Sequence, residues 1–513
     1  MINILNRYMK CFVVMIYFFT IIPLVSADQT QKNLTLTQIN LLQKVCKKNF
    51  DIRYKKHDLK IATELVKKET AIFEPNFSAS YTYKDSITPN TAEQFFDRLY
   101  MDKFKERLKQ YQMGVKGLLS TGTVYSIDYA MDDISNDLVD NKYDDNRSEV
   151  SSYLGFQITQ PLLKNRGSQN TMAKIRIAQT AHDIAYQDLR QKVMDVVHTA
   201  LNAYWELYFT TKQYDFYMDS VKLAQDLLQT YTLMFEAGKV AETELFEIKS
   251  GLALRKSLLS EALQKKIDAQ ANIFKLLGIS RKGNGIGHII ILDTPETYSK
   301  YEKPIYKDVL NRALLNNPKY LSSIHHLQKQ RMYSQYSQNQ SLPNFNFKAS
   351  FGINSLDTRG EQFLENIWND NEETWSVGLE FLLPLKGGID HTSELRIAKT
   401  RERQASIALQ SIKLDLENQV DTSIQHLKNS MHQLDRHTEN VRFKQKIMDV
   451  EMSRLEGGRS NIINVLEKEK NLNQARNGYL RAIINLELSD VALSRIDGSL
   501  LKRFGVSVEK FSK

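Results

Sequence analysis

Two strand ends decide the fold of this chain: Gln160-Pro161-Leu162 and Leu383-Pro384-Leu385. Before each of them, apolar and polar residues alternate, which predicts a β-strand. After each of them, a long run without proline places apolar residues at steps of three and four, which predicts a helix. The chain is therefore an internal duplication, and each half contains a strand that leads into a long helix.

The repeat extends to strands upstream of these ends. Glu74-Pro75-Asn76-Phe77 in the first half corresponds to Leu342-Pro343-Asn344-Phe345 in the second. With their partners, these segments predict four strands, at about 75–83, 152–159, 343–354 and 375–382. Each is about as long as a strand that crosses a bilayer at a tilt, although strands of an ordinary sandwich alternate in the same way.

An insertion separates the two strands of the first half. Its segment Val124–Ala130 also alternates and could extend the sheet on its outer side. The insertion then becomes acidic, but Asp140, Asp144 and Asp145 lack the ligand spacing of a calcium-binding EF-hand loop. We interpret the acidic segment as an exposed loop.

Two very long helices are predicted at about 165–236 and 390–456. At ~1.5 Å per residue, a helix of about 70 residues would extend roughly 100 Å. Each stops at a glycine, Gly238 or Gly458, where a residue in the left-handed conformation can end a helix. Shorter helices follow at about 242–277 and 461–494. Each half therefore makes a helical hairpin, and the small residues on the packed faces suit coiled-coil packing.

The N-terminus is typical of a secretory signal, with Arg7 and Lys10 ahead of the apolar run Cys11–Val25. We predict cleavage after Ala27; an N-terminal anchor is the alternative. Cleavage would leave Cys46 as the one cysteine, so no intrachain disulfide is expected. No later stretch is long and apolar enough for a membrane-crossing helix. The net charge is +9, but the basic residues are interspersed along helices, which favours solvated faces over a nucleic-acid surface.

No pattern in the sequence predicts catalysis, a cofactor or a metal site. His325 and His326 lack the spacing that places two ligands on one helix face. Residues 283–287 are rich in glycine, but no Lys-Ser/Thr pair follows them, so we interpret them as a connector. The chain is not expected to be an enzyme.

Taken in order and in duplicate, these features resemble the TolC-like outer-membrane factors, the outer membrane efflux protein family. The resemblance covers nearly the whole chain after the signal. Its residues are the two strand ends, Gly387-Gly388, Phe235-Glu236-Ala237-Gly238, and the segments 458–467 and 473–480.

The resemblance implies a mixed α/β membrane protein, mainly α. Three chains would each give four strands to one twelve-stranded β-barrel, which a long α-helical barrel continues through the periplasm. Such a protein is the passive outer-membrane exit duct of a tripartite efflux pump or a type I secretion system in a Gram-negative bacterium. Its partners are two further copies, a periplasmic adaptor, an inner-membrane transporter and outer-membrane lipid. The alternative is an exported or membrane-anchored coiled-coil scaffold without channel activity.

The resemblance also implies a periplasmic aperture at the turns after Gly238 and Gly458. By position, a pair of family acids falls on Asn464 and Glu467. A ring of Glu467 side chains would favour cations in a pore, although the same glutamate could be a solvated acid on a helix surface.

Other aperture positions differ more from the family. An acid of the first hairpin falls on Glu244, beside Thr243. A locking tyrosine corresponds to Leu455, and an arginine position holds Ser460, with Arg459 adjacent. The hairpins are expected, whereas the family's hydrogen-bonded lock is not expected in detail.

The sequence thus predicts five segments. They are the signal peptide 1–27, the first repeat 28–279, a linker or equatorial segment 280–305, the second repeat 306–496 and a tail 497–513.

Overall fold

A computed structural model describes residues 32–139, 148–280, 286–295, 304–357, 372–385 and 388–508. The predicted signal, the acidic residues Asp140, Asp144 and Asp145, Gly387, most of the glycine-rich connector and the end of the tail lie outside these residues. Within the described ranges, no helix is both long enough and apolar enough to cross a membrane.

Strands and long helices alternate along the described residues. The strands are β1 (Lys32–Leu36), β2 (Asn76–Pro89), β3 (Lys103–Leu118), β4 (Val124–Asn136), β5 (Glu149–Pro161), β6 (Ile286–Ile291), β7 (Asn344–Asp357) and β8 (Glu372–Leu382). The helices are α1 (Gln38–Lys48), α2 (Phe50–Thr70), α3 (Ala92–Asp97), α4 (Ser168–Thr171), α5 (Ala173–Glu236), α6 (Glu242–Leu277), α7 (Tyr306–Asn316), α8 (Pro318–Gln340), α9 (Ile389–Glu456), α10 (Ile462–Ile496) and α11 (Leu500–Arg503). The predicted mixed and mainly helical fold is confirmed.

Two compact units divide the described residues. The first takes its residues from the segments up to Asn49, 199–296 and 435–484, and the second from 50–198, 297–434 and 485 onward. The long helices α5 and α9 contribute residues to both units.

The second unit contains one large antiparallel sheet. Its strand order is β2-β3-β4-β5-β7-β8. The prediction of four strands is therefore corrected to six, because the insertion supplies β3 and β4. These strands also lie inside the sheet, between β2 and β5, and not on its outer side. Lys103–Leu118 carries charges along most of its length, so alternation did not reveal it; pairing along its whole length with β2 and β4 satisfies its backbone.

The first unit contains the short parallel pair β1·β6. Beside it, the buried Tyr204 hydroxyl lies 2.9 Å from Oδ2 of Asp293 and 3.3 Å from the carbonyl oxygen of Leu36. The backbone N–H of Gln38 donates to the same carboxylate oxygen, at 2.7 Å. Burial raises the pKa of Tyr204, and its hydrogen bond to Asp293 raises it further. This phenol therefore acts as a fixed neutral donor.

Two asparagines that correspond in the repeat perform the same task, each within its own unit. Asn49 donates from Nδ2 to the carbonyl oxygen of Leu276 at 3.4 Å, near the end of α6. Asn317 donates from Nδ2 to the carbonyl oxygen of Ile496 at 3.0 Å, at the end of α10. Each satisfies a carbonyl that has no partner within its own helix.

Candidate aperture at the helical hairpin turns

The first unit contains both hairpin turns, and the two turns are built from the same hydrogen bonds. After α5, the N–H of Lys239 donates to the carbonyl oxygen of Met234 at 2.9 Å. The N–H of Gly238 donates to the carbonyl oxygen of Phe235 at 2.8 Å. After α9, the matching bonds are Arg459 to Arg454 (2.7 Å) and Gly458 to Leu455 (3.0 Å). Gly238 and Gly458 have φ of 69° and 68°. Both turns are therefore Schellman motifs, which need a residue with positive φ.

The helices that leave the turns are capped differently. Asn461 accepts the backbone N–H of Asn464 at 3.0 Å, so its side chain caps the start of α10. Ala241 precedes α6 and offers no side-chain cap. The second turn is therefore the better capped of the two.

Apolar side chains from both hairpins pack together behind the turns. Tyr231, Leu245 and Ile248 of the first hairpin share a buried cluster with Ile462 of the second. A second cluster joins Met448, Val465 and Leu472. The turns are therefore the ends of one packed four-helix arrangement and not separate loops.

A buried ion pair ties α6 to α10 within this arrangement. Nη2 of Arg255 lies 2.6 Å from Oε2 of Glu469, and the two side chains are 9% and 7% exposed. The guanidinium also donates to Oγ of Ser220 (3.1 Å) and to the carbonyl oxygens of Gly251 (3.2 Å) and Leu466 (3.1 Å). Asn473 donates to the other oxygen of Glu469. A buried charge pair is stable only when its remaining donors and acceptors are satisfied in this way.

The second half of the chain is similar to a known protein family. Residues 309–499 match the family described as outer membrane efflux protein. The second half of the chain carries this family's sequence pattern. The resemblance predicted from the sequence is thereby confirmed. Among curated proteins, no sequence matches the chain.

Solved structures of membrane proteins, two of them named as outer membrane channels, share the fold at low sequence identity. The Campylobacter jejuni outer membrane channel CmeC aligns with a TM-score of 0.64 and 15% identity, over 93% of this chain and 89% of that one. A membrane protein from Pseudomonas aeruginosa aligns with a TM-score of 0.65 and 13% identity, over 91% of each chain. The open state of the Neisseria gonorrhoeae channel MtrE aligns with a TM-score of 0.61 and 12% identity, over 91% and 90%.

Glu467, the acid that the resemblance places at the aperture, lies on the surface of α10. The Glu467 side chain is 56% exposed, and its Oε1 lies 3.2 Å from Nζ of Lys468. Asn464, one turn earlier, is partly buried. Glu467 lines the same groove as Arg255 and Glu469. Glu467 therefore lies beside the ion pair, and Lys468 partly neutralises its charge.

The first-hairpin residues lie at the start of α6. Thr243 is exposed and Glu244 is half-buried. Burial raises the pKa of Tyr231, and the charge of the nearby Glu244 raises it further. Glu244 therefore borders the apolar cluster between the hairpins, whereas Glu467 faces solvent.

Two residues at the positions expected to differ from the family make contacts within the hairpins. Leu455, which the resemblance aligns with a tyrosine, packs against both apolar clusters. Ser460, at the arginine position, donates to the buried carboxylate of Glu451 within its own hairpin. Arg459 is exposed.

Sequence reasoning missed Arg255 and Glu469. Both interrupt apolar stripes of coiled-coil spacing: Leu245, Ile248, Leu252, Arg255 on α6 and Ile462, Val465, Glu469, Leu472 on α10. A charge at a core position of a coiled coil usually marks a specific partner, and this signal could have found them. In the described part of the chain, no group of three or more His, Cys, Asp or Glu residues could hold a metal.

Proposed function

We propose that this protein is an outer-membrane channel, the passive exit duct of a tripartite efflux pump. It assembles as a homotrimer, spans the outer membrane of a Gram-negative bacterium and extends into the periplasm. A periplasmic adaptor and an inner-membrane transporter supply specificity and energy, so the channel itself carries out no chemistry. The family match supports efflux, and the shared fold supports a duct. A type I secretion system would use the same duct with a different transporter.

The observation that carries this proposal is the exposed apolar face of the sheet. On β8, Trp375, Val377, Leu379 and Phe381 point to one face and are 60–71% exposed. Water-exposed apolar surfaces of this kind are rare on soluble proteins, and lipid would cover them. Residues that alternate with them, such as Ser376 and Glu380, are polar.

Purified full-length protein in planar bilayers tests the proposal. We expect a detergent-requiring trimer that gives discrete channels. Val377→Arg should make the free energy of membrane insertion less favourable by about 2–4 kcal/mol, because a cation would face lipid near mid-strand. The adjacent Ser376→Arg, on the opposite face, is the matched control and should insert normally. A soluble oligomer without conductance would instead indicate the coiled-coil scaffold.

Affinity capture separates efflux from secretion once conductance is established. The full-length channel should capture an adaptor together with a transporter of small molecules. Recovery of a transporter dedicated to polypeptides would assign the duct to type I secretion.

A further inference from the structure

Near its turn, the inserted hairpin β3–β4 continues the two-faced pattern of the other strands. Residues paired across the sheet form rows, and one apolar row crosses all six strands. It consists of Phe77, Val115, Ile127, Phe156, Phe351 and Trp375. The hairpin supplies Val115 and Ile127 to this row, in register with its neighbours. An ordinary surface flap would not need to match the apolar face of the sheet.

The adjacent row faces the other way and is polar or small. It consists of Ser78, Gly114, Asp128, Gly155, Gly352 and Thr374. The hairpin contributes Asp128 here, whose Oδ2 accepts from Oγ of Ser126 at 2.6 Å on the same face. In these two rows, both faces of β3 and β4 match the faces of the strands on either side. Farther from the turn, the face of β3 that carries Val115 holds Lys103, Lys105, Arg107 and Lys109.

The turn of the hairpin is also attached at the base of the sheet. The N–H of Gly167 donates to the carbonyl oxygen of Thr121 at 2.9 Å, and Thr123 donates to the side chain of Gln160. A Cβ on Gly122 would lie 2.4 Å from the carbonyl oxygen of Asn165, so the turn packs directly against the segment after β5. These contacts hold the hairpin within the sheet at its base as well as along its length.

Six strands leave two open edges that suit each other. The sheet is antiparallel throughout, so β2 and β8, the first and sixth strands, run in opposite directions. An edge strand exposes unpaired N–H and C=O groups, which cannot face lipid without a partner. The apolar row reaches both edges, at Phe77 and at Trp375. A second copy of this chain can therefore continue the ladder and both faces by antiparallel pairing of its β2 with β8.

We propose that three copies close an eighteen-stranded barrel, with six strands from each, in which the inserted hairpin forms one third of the wall. This inference rests on the channel function proposed above. Barrel diameter grows roughly linearly with strand number, so the pore would be about 1.5 times as wide as that of a twelve-stranded barrel. Barrels of 16–18 strands leave an aqueous channel. The outer pore would therefore admit bulkier solutes than the barrel that the resemblance implies.

Polymer exclusion in planar bilayers measures the width of the outer pore. The test compares the full-length channel with a variant in which a short Gly-Asn loop replaces residues 90–148. In this variant, β2 and β5 run antiparallel and can pair directly, which leaves four strands per chain. Poly(ethylene glycol) added from the outer side should enter the full-length pore at clearly larger sizes than the variant pore. The same size limit for both channels would overturn the inference.

Lipid contact at the hairpin gives a second test that does not require the deletion. Met113 and Gln112 are neighbours on β3. Met113 belongs to an apolar row and Gln112 to a polar row on the opposite face. In a Cys46→Ser background, Met113→Cys and Gln112→Cys are labelled with a fluorophore in the full-length trimer. Brominated lipid should quench the label at residue 113 and spare that at 112. Equal quenching, or quenching at neither, would show that the hairpin is not part of the wall. Absence of all conductance, in contrast, would refute the channel function itself.

Discussion

Arg255 on α6 and Glu469 on α10 form a buried ion pair, with Nη2 of the arginine 2.6 Å from Oε2 of the glutamate. The two residues come from different halves of the duplicated chain. The pair therefore links the first helical hairpin to the second just behind the turns, where the resemblance predicts the aperture.

Removal of one partner of this pair should destabilise the hairpins strongly. Arg255→Met leaves the Glu469 carboxylate buried without its cation, at a cost of about 3–5 kcal/mol. Hydrogen exchange of the α6 and α10 amides measures the local loss. The double variant Arg255→Met/Glu469→Met should recover much of it, because no uncompensated charge is left.

A half-exposed pair in the same unit provides the control. Arg481 and Glu206 are 41% and 44% exposed and lie 2.7 Å apart. Arg481→Met should cost no more than about 1 kcal/mol, since solvent screens such pairs. Equal effects of Arg255→Met and Arg481→Met would contradict the structural role assigned to the buried pair.

The stability of the hairpin turns should depend on the backbone conformation of their glycines and not on the room for a side chain. Gly458 has φ of 68°, and a Cβ there would meet no atom within 4 Å. Gly458→Ala should cost roughly 1–2 kcal/mol, because an L-residue is strained in the left-handed region. Amides at the end of α9 should then exchange about 5–30 times faster. The neighbouring Gly457→Ala should show no such increase, because Gly457 has no positive φ.

Charge near the turns should set ion selectivity if α10 lines the aperture. Glu467→Gln should weaken the preference for cations in single-channel recordings, because a ring of three carboxylates would be lost. Lys468, 3.2 Å from Glu467, partly neutralises that ring, so Lys468→Gln should strengthen the preference.

Glu439→Gln is the control for selectivity. Glu439 pairs with Arg436 at 3.3 Å within α9 and is 55% exposed. Its substitution removes the same charge at a site outside the predicted aperture residues. Unchanged selectivity in Glu467→Gln, or an equal change in Glu439→Gln, would remove Glu467 from the aperture.

The second unit should lose stability in mild acid through His198. Burial lowers the pKa of His198, and the charge of Arg495 lowers it further, against the opposite effect of Asp195. The unfolded chain takes up this proton near the usual histidine pKa of about 6.5, whereas the folded chain takes it up only at lower pH. Below about pH 6.5, the unfolded state therefore binds more protons, and the free energy of unfolding falls.

Thermal unfolding of the detergent-purified protein at pH 7.5 and 5.5 measures this effect. His198→Gln should show a smaller difference between the two pH values than the wild type. The exposed His57→Gln is the control and should keep the wild-type difference. An unchanged pH dependence in His198→Gln would rule out this histidine as the cause.

The sequence by itself determined the features that depend on local chemistry. Helix periodicity places α6 at Glu242–Leu277, as expected, and the glycine stops at Gly238 and Gly458 follow from backbone sterics alone. The four predicted strands are present because alternation between two faces is visible in any strand with one apolar side.

Only the tertiary structure decided that the sheet has six strands and that Arg255 meets Glu469. β3 carries charges along most of its length, and it is a strand because β2 and β4 satisfy its backbone on both sides. Arg255 and Glu469 are tolerated inside apolar stripes because each neutralises the other. In both cases the stabilising partner is distant in the chain. Local sequence patterns record the preferences of a segment, whereas hydrogen-bond pairing and charge compensation depend on which distant segment the fold brings alongside it.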